Sequence, residues 1–160
     1  MRILGIDPAV KITGYGLIDI EDNKIKLVEA GIIEPKARDL IQNKIAKIYR
    51  MVDGIIKQHN PDVMVLEKLY AHYHHPVTAC ILGHVRGVIC LLCAQHDIKL
   101  VEHSVRRIRK SIVGRGEASK LQTQRMVAHI LNVKQEQLTF DASDALALAL
   151  GYANFFDKRV

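Results

Sequence analysis

Arg2-Ile3-Leu4-Gly5-Ile6-Asp7 is the stretch on which the fold turns. A short apolar run that begins almost at the first residue reads as a strand pinned into the centre of a sheet. Thr13 to Ile20 and Lys26 to Ile33 are two further strand candidates, with the turn residues Asp22-Asn23 between them. The opening is therefore expected to be a three-stranded antiparallel unit. Periodicity then changes: Ile41, Ile45, Ile48, Val52, Ile55 and Ile56 mark a helical stripe from about Leu40 to His59, which Asn60-Pro61 ends. Asp62 to Glu67 reads as a fourth strand buried on both faces, Pro76 to Gln95 as a second helix with proline in its first turn, and Ile98 to His103 as a fifth strand. A right-handed crossover through that helix makes strands four and five parallel. Ser104 is expected to cap a short helix through Lys110. Val113 to Glu117 reads as a polar loop, Ala118 to Leu131 as a helix with Leu121, Gln124, Ala128 and Leu131 on one side, and Asp141 to Phe155 as the last helix. The reading is a mixed α/β domain over residues 1–157 with a short tail at 158–160.

Composition narrows the class. Of 160 residues, 49% are hydrophobic and 25% charged, as in a globular chain. The formal charge of +6 makes a polyanionic partner plausible. Three cysteines cannot all pair, no zinc-ribbon spacing occurs, and a reduced, cytoplasmic compartment fits best. Asp7 comes too early for a signal peptide, and Arg86, Gln95 and Asp144 interrupt the longest apolar stretches, which argues against a membrane span.

The acids carry the functional signal. Asp7 closes the first strand and Glu67 the fourth, where a carboxylate can face a cleft without the desolvation cost of a strand interior. Asp141 and Asp144 open the last helix three residues apart, on neighbouring positions of one face. Each has an ordinary alternative: Asp7 as the start of a turn, Glu67 as a lysine's partner, Asp141 and Asp144 as helix caps. Together they can converge on one cleft. Carboxylates 4 Å apart repel by about 4 kcal/mol per pair at an effective dielectric of 20. Cations would remove that cost, and oxygen-only ligands suit Mg²⁺ or Mn²⁺. Two such ions are the usual device for in-line phosphodiester cleavage.

Ile3-Leu4-Gly5-Ile6-Asp7-Pro8 and Thr13-Gly14-Tyr15-Gly16 resemble the opening of the bacterial Holliday junction resolvase family RuvC. Glu67, Val113-Gly114, the Glu117 to Gln124 stretch and Asp141-Ala142-Ser143-Asp144-Ala145 match the same pattern in the same order, so the resemblance spans essentially the whole chain. It implies a five-stranded RNase H-like fold, a homodimer, and metal-dependent symmetric nicking of four-way DNA junctions that leaves 5′-phosphates. It also implies Asp7, Glu67, Asp141 and Asp144 as the catalytic, metal-binding acids, and a branch-migration motor with a junction-binding adaptor as partners. Two departures stand out: Ala9 replaces the usual glycine after Asp-Pro, and with the last residue at Val160 the usual basic tail is expected to be short or absent.

Arg106, Arg107, Arg109, Lys110, Arg115, Lys120 and Arg125 form a basic run suited to phosphate contacts. By resemblance, Lys120 is a catalytic or strand-binding residue, and Arg109 stands where a lysine is common. A guanidinium clamps phosphate in two directions but shuttles protons poorly. Tyr70, three residues beyond Glu67, resembles the aromatic that stacks at the junction centre; the alternative is a tyrosine packed on the following helix. His72, His74 and His75 read as a DNA-facing loop in preference to a zinc site, and His103 and His129 as structural or surface residues. In the second helix Val77, Ala79, Ile81, Leu82, Val85, Val88, Ile89, Leu91 and Leu92 cover more than one face, so either another helix of the same domain or a second subunit must cover the rest; the resemblance implies the second subunit, and Cys90 and Cys93 read as packing residues. Two other classes remain open on the residues alone: cleavage of RNA–DNA hybrids with the same metal chemistry, and junction binding without catalysis.

Overall fold

The computed structural model describes residues 1–22, 24–68 and 76–157. Five strands, β1 (Arg2–Asp7), β2 (Thr13–Glu21), β3 (Lys24–Ile33), β4 (Val63–Glu67) and β5 (Lys99–His103), form one mixed sheet in the order β3-β2-β1-β4-β5. β1 is central as expected, antiparallel to β2 and parallel to β4, and β4 is parallel to β5. Asp22 takes a positive φ of 48° in the β2–β3 turn; Asn23, Tyr70, the three neighbouring histidines and the 158–160 tail lie outside the described residues.

Side-chain alternation assigns the two faces. Leu4 and Ile6 of β1 join Met64 and Leu66 of β4 beneath α1 (Ile41–His59) and α2 (Pro76–Gln95). Ile3, Val63 and Val65 pack on the other side against α3 (Val105–Val113), α4 (Lys120–Leu131) and α5 (Phe140–Asp157). The same period of two sends Asp7 and Glu67 toward α5. The register that pairs Ile6 with Leu66 brings these two acids side by side at the strand tips.

Two glycines let α5 lie close to the sheet. A Cβ at Gly5 would run into the Ala145 carbonyl, and one at Gly14 into the Asp141 carbonyl. The start of α5 is fixed from α4 as well. The buried Gln124 amide donates to the Leu138 carbonyl at 2.8 Å and accepts from Gln135 at 2.9 Å. Thr139 then accepts a hydrogen bond from the Ala142 amide at 3.2 Å, so Thr139 and not Asp141 serves the helix end.

Several expectations need correction. α3 runs three residues beyond Lys110, because Gly114 at φ 88° supplies its left-handed cap and its amide bonds the Lys110 carbonyl. Val113 therefore belongs to a helix, not to the loop. α4 starts at Lys120 behind a Ser119–Gln122 capping box. Its buried face is Thr123, Gln124, Val127, Ala128 and Leu131, and Leu121 is exposed. A 3₁₀ turn at Gln135–Gln137 adds an element that the hydrophobic pattern does not announce. Cys90 is exposed, whereas Cys93 packs its sulfur 3.4 Å from that of Met64. Ala9 is not among the positive-φ residues. Thr13, fully buried, donates to the Ala9 carbonyl at 2.6 Å and closes that turn with ordinary dihedrals.

α2 is long and apolar enough by composition to cross a membrane, with a mean hydropathy of 1.9 over Val77–Gln95. One face of it packs into the core and the opposite face is exposed. Val85, Ile89 and Leu92 are buried on the sheet, and Arg86 sits mid-helix with charged and carbonyl partners.

Candidate functional site

The C-terminal tips of β1 and β4 open into a cleft of about 380 Å³ between the sheet, α3, α4 and α5. Asp7, Glu67, Asp144, Lys120 and Arg109 line it, with Val105, Ile108, Thr123, Ala147 and Leu148 as an apolar surround. Five of the residues expected at a site thus meet in one place, brought from four separate elements and the first turn of α4. Asp141 does not line the cleft, but its charge acts on both Asp7 and Lys120.

The electrostatics are those of crowded carboxylates. Burial, then the charges of Asp144 and Glu67, push the Asp7 carboxyl from 3.8 up to about 7. Burial and Asp144 also raise Glu67, while Arg109, Arg86 and Lys120 oppose the shift. The Lys120 ammonium donates to Asp144 Oδ2 at 2.9 Å. That bond raises Lys120 above the ordinary lysine value and keeps it cationic at neutral pH. Clustered oxygen donors whose mutual repulsion is only partly offset by Lys120, Arg109 and Arg86 fit hard divalent cations. Among the described residues, no group of three Asp, Glu, His or Cys forms a ready-made metal cage.

The remaining basic residues separate into different settings. Arg106, exposed on α3, pairs with Glu117 at 3.2 Å. Arg107 and Lys110 are exposed on the same helix. Arg115 and Arg125 line a second, shallow groove with Val113, Gln122, Met126 and His129. Sequence reasoning does not single out Arg86 as a site residue, although it is only 8% exposed. Its guanidinium donates to the Glu67 carbonyl at 2.6 Å and to the Glu102 carboxylate. The available signal is a lone arginine inside an apolar helix.

Comparison with known proteins bears on family and fold. The family model for "Crossover junction endodeoxyribonuclease RuvC" matches residues 3–152. Two curated proteins of that name, from Alkaliphilus metalliredigens and Alkaliphilus oremlandii, are 34% and 37% identical over 154 residues, which is 96% of this chain and 93% of each relative. A Thermus thermophilus RuvC solved with Holliday junction substrate superposes with a TM-score of 0.89 at 19% identity, covering 99% of this chain and 97% of that one. A yeast mitochondrial Holliday junction resolvase superposes at 0.71 with 14% identity, covering 98% and 79%.

Proposed function

Because the chain belongs to the RuvC family of crossover junction endodeoxyribonucleases, with its α/β RNase H-like fold, we propose how its own residues carry out that activity. It is a DNA endonuclease of recombination and repair that resolves four-way junctions. Its family is divalent-metal-dependent. Residues 1–157 form one nuclease domain in this reading, which the match over residues 3–152 supports. The convergence of Asp7, Glu67 and Asp144 with Lys120 and Arg109 on one cleft carries the assignment.

Asp7, Glu67 and Asp144, with Asp141 one turn away at the edge of the cleft, would hold two divalent cations, Mg²⁺ or in its place Mn²⁺. When bound, such ions would supply an acidified water and stabilise charge that develops on the phosphodiester. The protein's share is positioning and charge. The sheet register sets Asp7 beside Glu67, and the glycine contacts hold Asp144 over them. Lys120, kept protonated, leaves Asp144 to hydrogen-bond a non-bridging oxygen of the scissile phosphate. Arg109 reaches the same phosphate with a fork of donors. Val105, Ile108 and Leu148 keep bulk water from the inner wall. The products are a nick with a 5′-phosphate and a free 3′-hydroxyl.

Arg106, Arg107, Lys110, Arg115 and Arg125 extend the phosphate track beyond the cleft, and Tyr70 stacks on an opened base at the junction centre. The chain acts as a homodimer through α2. Val77, Cys80, His84, Gly87, Leu91 and Ala94 are exposed and recur at alternating steps of three and four, which makes one continuous seam. Gly83 and Gly87 have open space at their Cβ positions and permit close helix approach. A two-fold dimer sets two clefts against a two-fold junction. We place the dimer in the cytoplasm, with a branch-migration motor and its adaptor delivering the junction.

The test is cleavage in Mg²⁺ of a four-way junction, a linear duplex and an RNA–DNA hybrid. Paired nicks in the junction alone are expected. Preferred cutting of the hybrid would reverse the substrate assignment.

A further inference from the structure

Arg86 lies on the side of the sheet away from the cleft. β4 alternates, so Met64 and Leu66 face α2 while Glu67 turns to the α5 side. On β5, Leu100 packs with the α2 layer and Val101 with the α5 layer, which puts Glu102 on the α2 side, opposite Leu66 in the parallel register. From α2, between the fully buried Val85 and the fully buried Ile89, Arg86 reaches this corner. One guanidinium nitrogen donates to the Glu67 main-chain carbonyl at 2.6 Å and another to Glu102. The next amide, Lys68, donates to the His103 carbonyl at 2.8 Å. The peptide that follows Glu67 is therefore held on both sides, at the point where β4 leaves the sheet.

A buried guanidinium is costly unless its donors are used, and an apolar residue would fill the same place in this helix at less cost. The partners Arg86 uses are the backbone of the cleft's carboxylate residue and a second strand. We propose that Arg86 is a positioning residue for DNA cleavage: by tying the Glu67 carbonyl to Glu102 from behind the sheet, it fixes the direction in which the Glu67 side chain enters the cleft. The role rests on the assignment of Glu67 to the cation-binding acids. It does not involve contact with DNA. Lysine cannot replace the fork, because a single ammonium is a point donor and cannot span the carbonyl and the carboxylate in fixed geometry. Glutamine at position 102 keeps an acceptor oxygen and should preserve the tie, whereas alanine should not.

Arg86→Lys, Glu102→Gln, Glu102→Ala and Glu67→Gln are compared with the unaltered chain. The readouts are single-turnover junction cleavage in Mg²⁺, junction binding in Ca²⁺, thermal melting, and Mn²⁺ binding to the DNA-free protein by electron paramagnetic resonance. Supporting partners of metal ligands are typically worth about 10- to 100-fold in metal affinity or activity. Arg86→Lys should lose cleavage and Mn²⁺ affinity in that range while junction binding in Ca²⁺ stays within about twofold. Glu102→Gln should retain most of both, and Glu102→Ala should lose both. Where Arg86→Lys proves unfolded, the two Glu102 variants decide, since that side chain is 42% exposed. Alanine slower than glutamine supports the tie, and equal rates overturn it. Arg86→Lys that folds and keeps its rate and Mn²⁺ affinity within twofold also overturns it. If Glu67→Gln cuts normally, the assignment of Glu67 falls and the proposal with it. An inactive Glu67→Gln beside a fully active Arg86→Lys refutes the positioning role alone.

Discussion

Asp7→Asn should make the metal-free protein more stable while it abolishes cutting. Folding forces the Asp7 carboxyl into a half-buried place beside Asp144 and Glu67, which raises it from 3.8 to about 7. The unfolded chain therefore releases this proton first. The linkage has a definite sign: the group's contribution is intact below about pH 4, is lost progressively as pH rises to about 7, and is flat above that. Each tenfold change in proton affinity is worth about 1.4 kcal/mol, so holding the Asp7 proton this much more tightly sets a ceiling of about 4 kcal/mol at pH 8. Solvent at the cleft mouth and the residual cost of burying an amide reduce this to about 2 kcal/mol. For a chain of this size that corresponds to a rise in Tm of roughly 4–8 °C. Melting in EDTA at pH 4, 6 and 8 should show the gap between variant and unaltered chain open from near zero to its full size. Adding Mg²⁺ at pH 8 should narrow or reverse it, because cations stabilise only the protein that binds them. An asparagine variant no more stable than the unaltered protein at pH 8 without metal would refute the crowded-carboxylate account.

Gly14→Ala would drive a methyl into the Asp141 carbonyl; displacing α5 should cost about 1–3 kcal/mol in thermal melts and slow single-turnover cutting at least tenfold. Lys120→Ala should reduce cleavage by about 10²–10³-fold, as expected for removing a donor to developing charge, with junction binding in Ca²⁺ changed far less. Leu91→Glu places a charge on the exposed seam of α2, and sedimentation at micromolar concentration should fall from twice the monomer mass to the monomer mass. A dimer that survives this change would move the interface elsewhere.

The strand-tip acids can be read in the sequence because their positions follow from short-range rules. An apolar run ending in Asp7 or Glu67 fixes both the strand and its tip, and proline and asparagine punctuate the helices. What escapes depends on contacts between distant segments. Gly5 and Gly14 look like permissive strand residues until α5 presses on them. Lys110 looks like the end of α3 because the left-handed Gly114 cap lies beyond the last strongly basic turn. Hydrophobicity puts Leu121 on the buried stripe, but polar Thr123 and Gln124 take the interior because Gln124 has carbonyl and amide partners there. Asp141 and Asp144 share a helical turn, yet only Asp144 lines the cleft, since the path of α5 across β1 and β2 sets which one faces it. Arg86 carries a sequence signal, a charge inside an apolar helix, but its partners come from β4 and β5.

The proposed function is that Asp7, Glu67, Asp141 and Asp144 make the chain a metal-dependent junction nuclease. Its most direct test is single-turnover cleavage of one fixed four-way junction by the unaltered chain and by Glu67→Gln, in Mg²⁺, with binding of the same junction measured in Ca²⁺. Paired, symmetric nicks by the unaltered chain are expected, none in EDTA, and tight binding without nicks by Glu67→Gln. Nicking by Glu67→Gln at the unaltered rate, or junction cleavage that persists in EDTA, would contradict the claim.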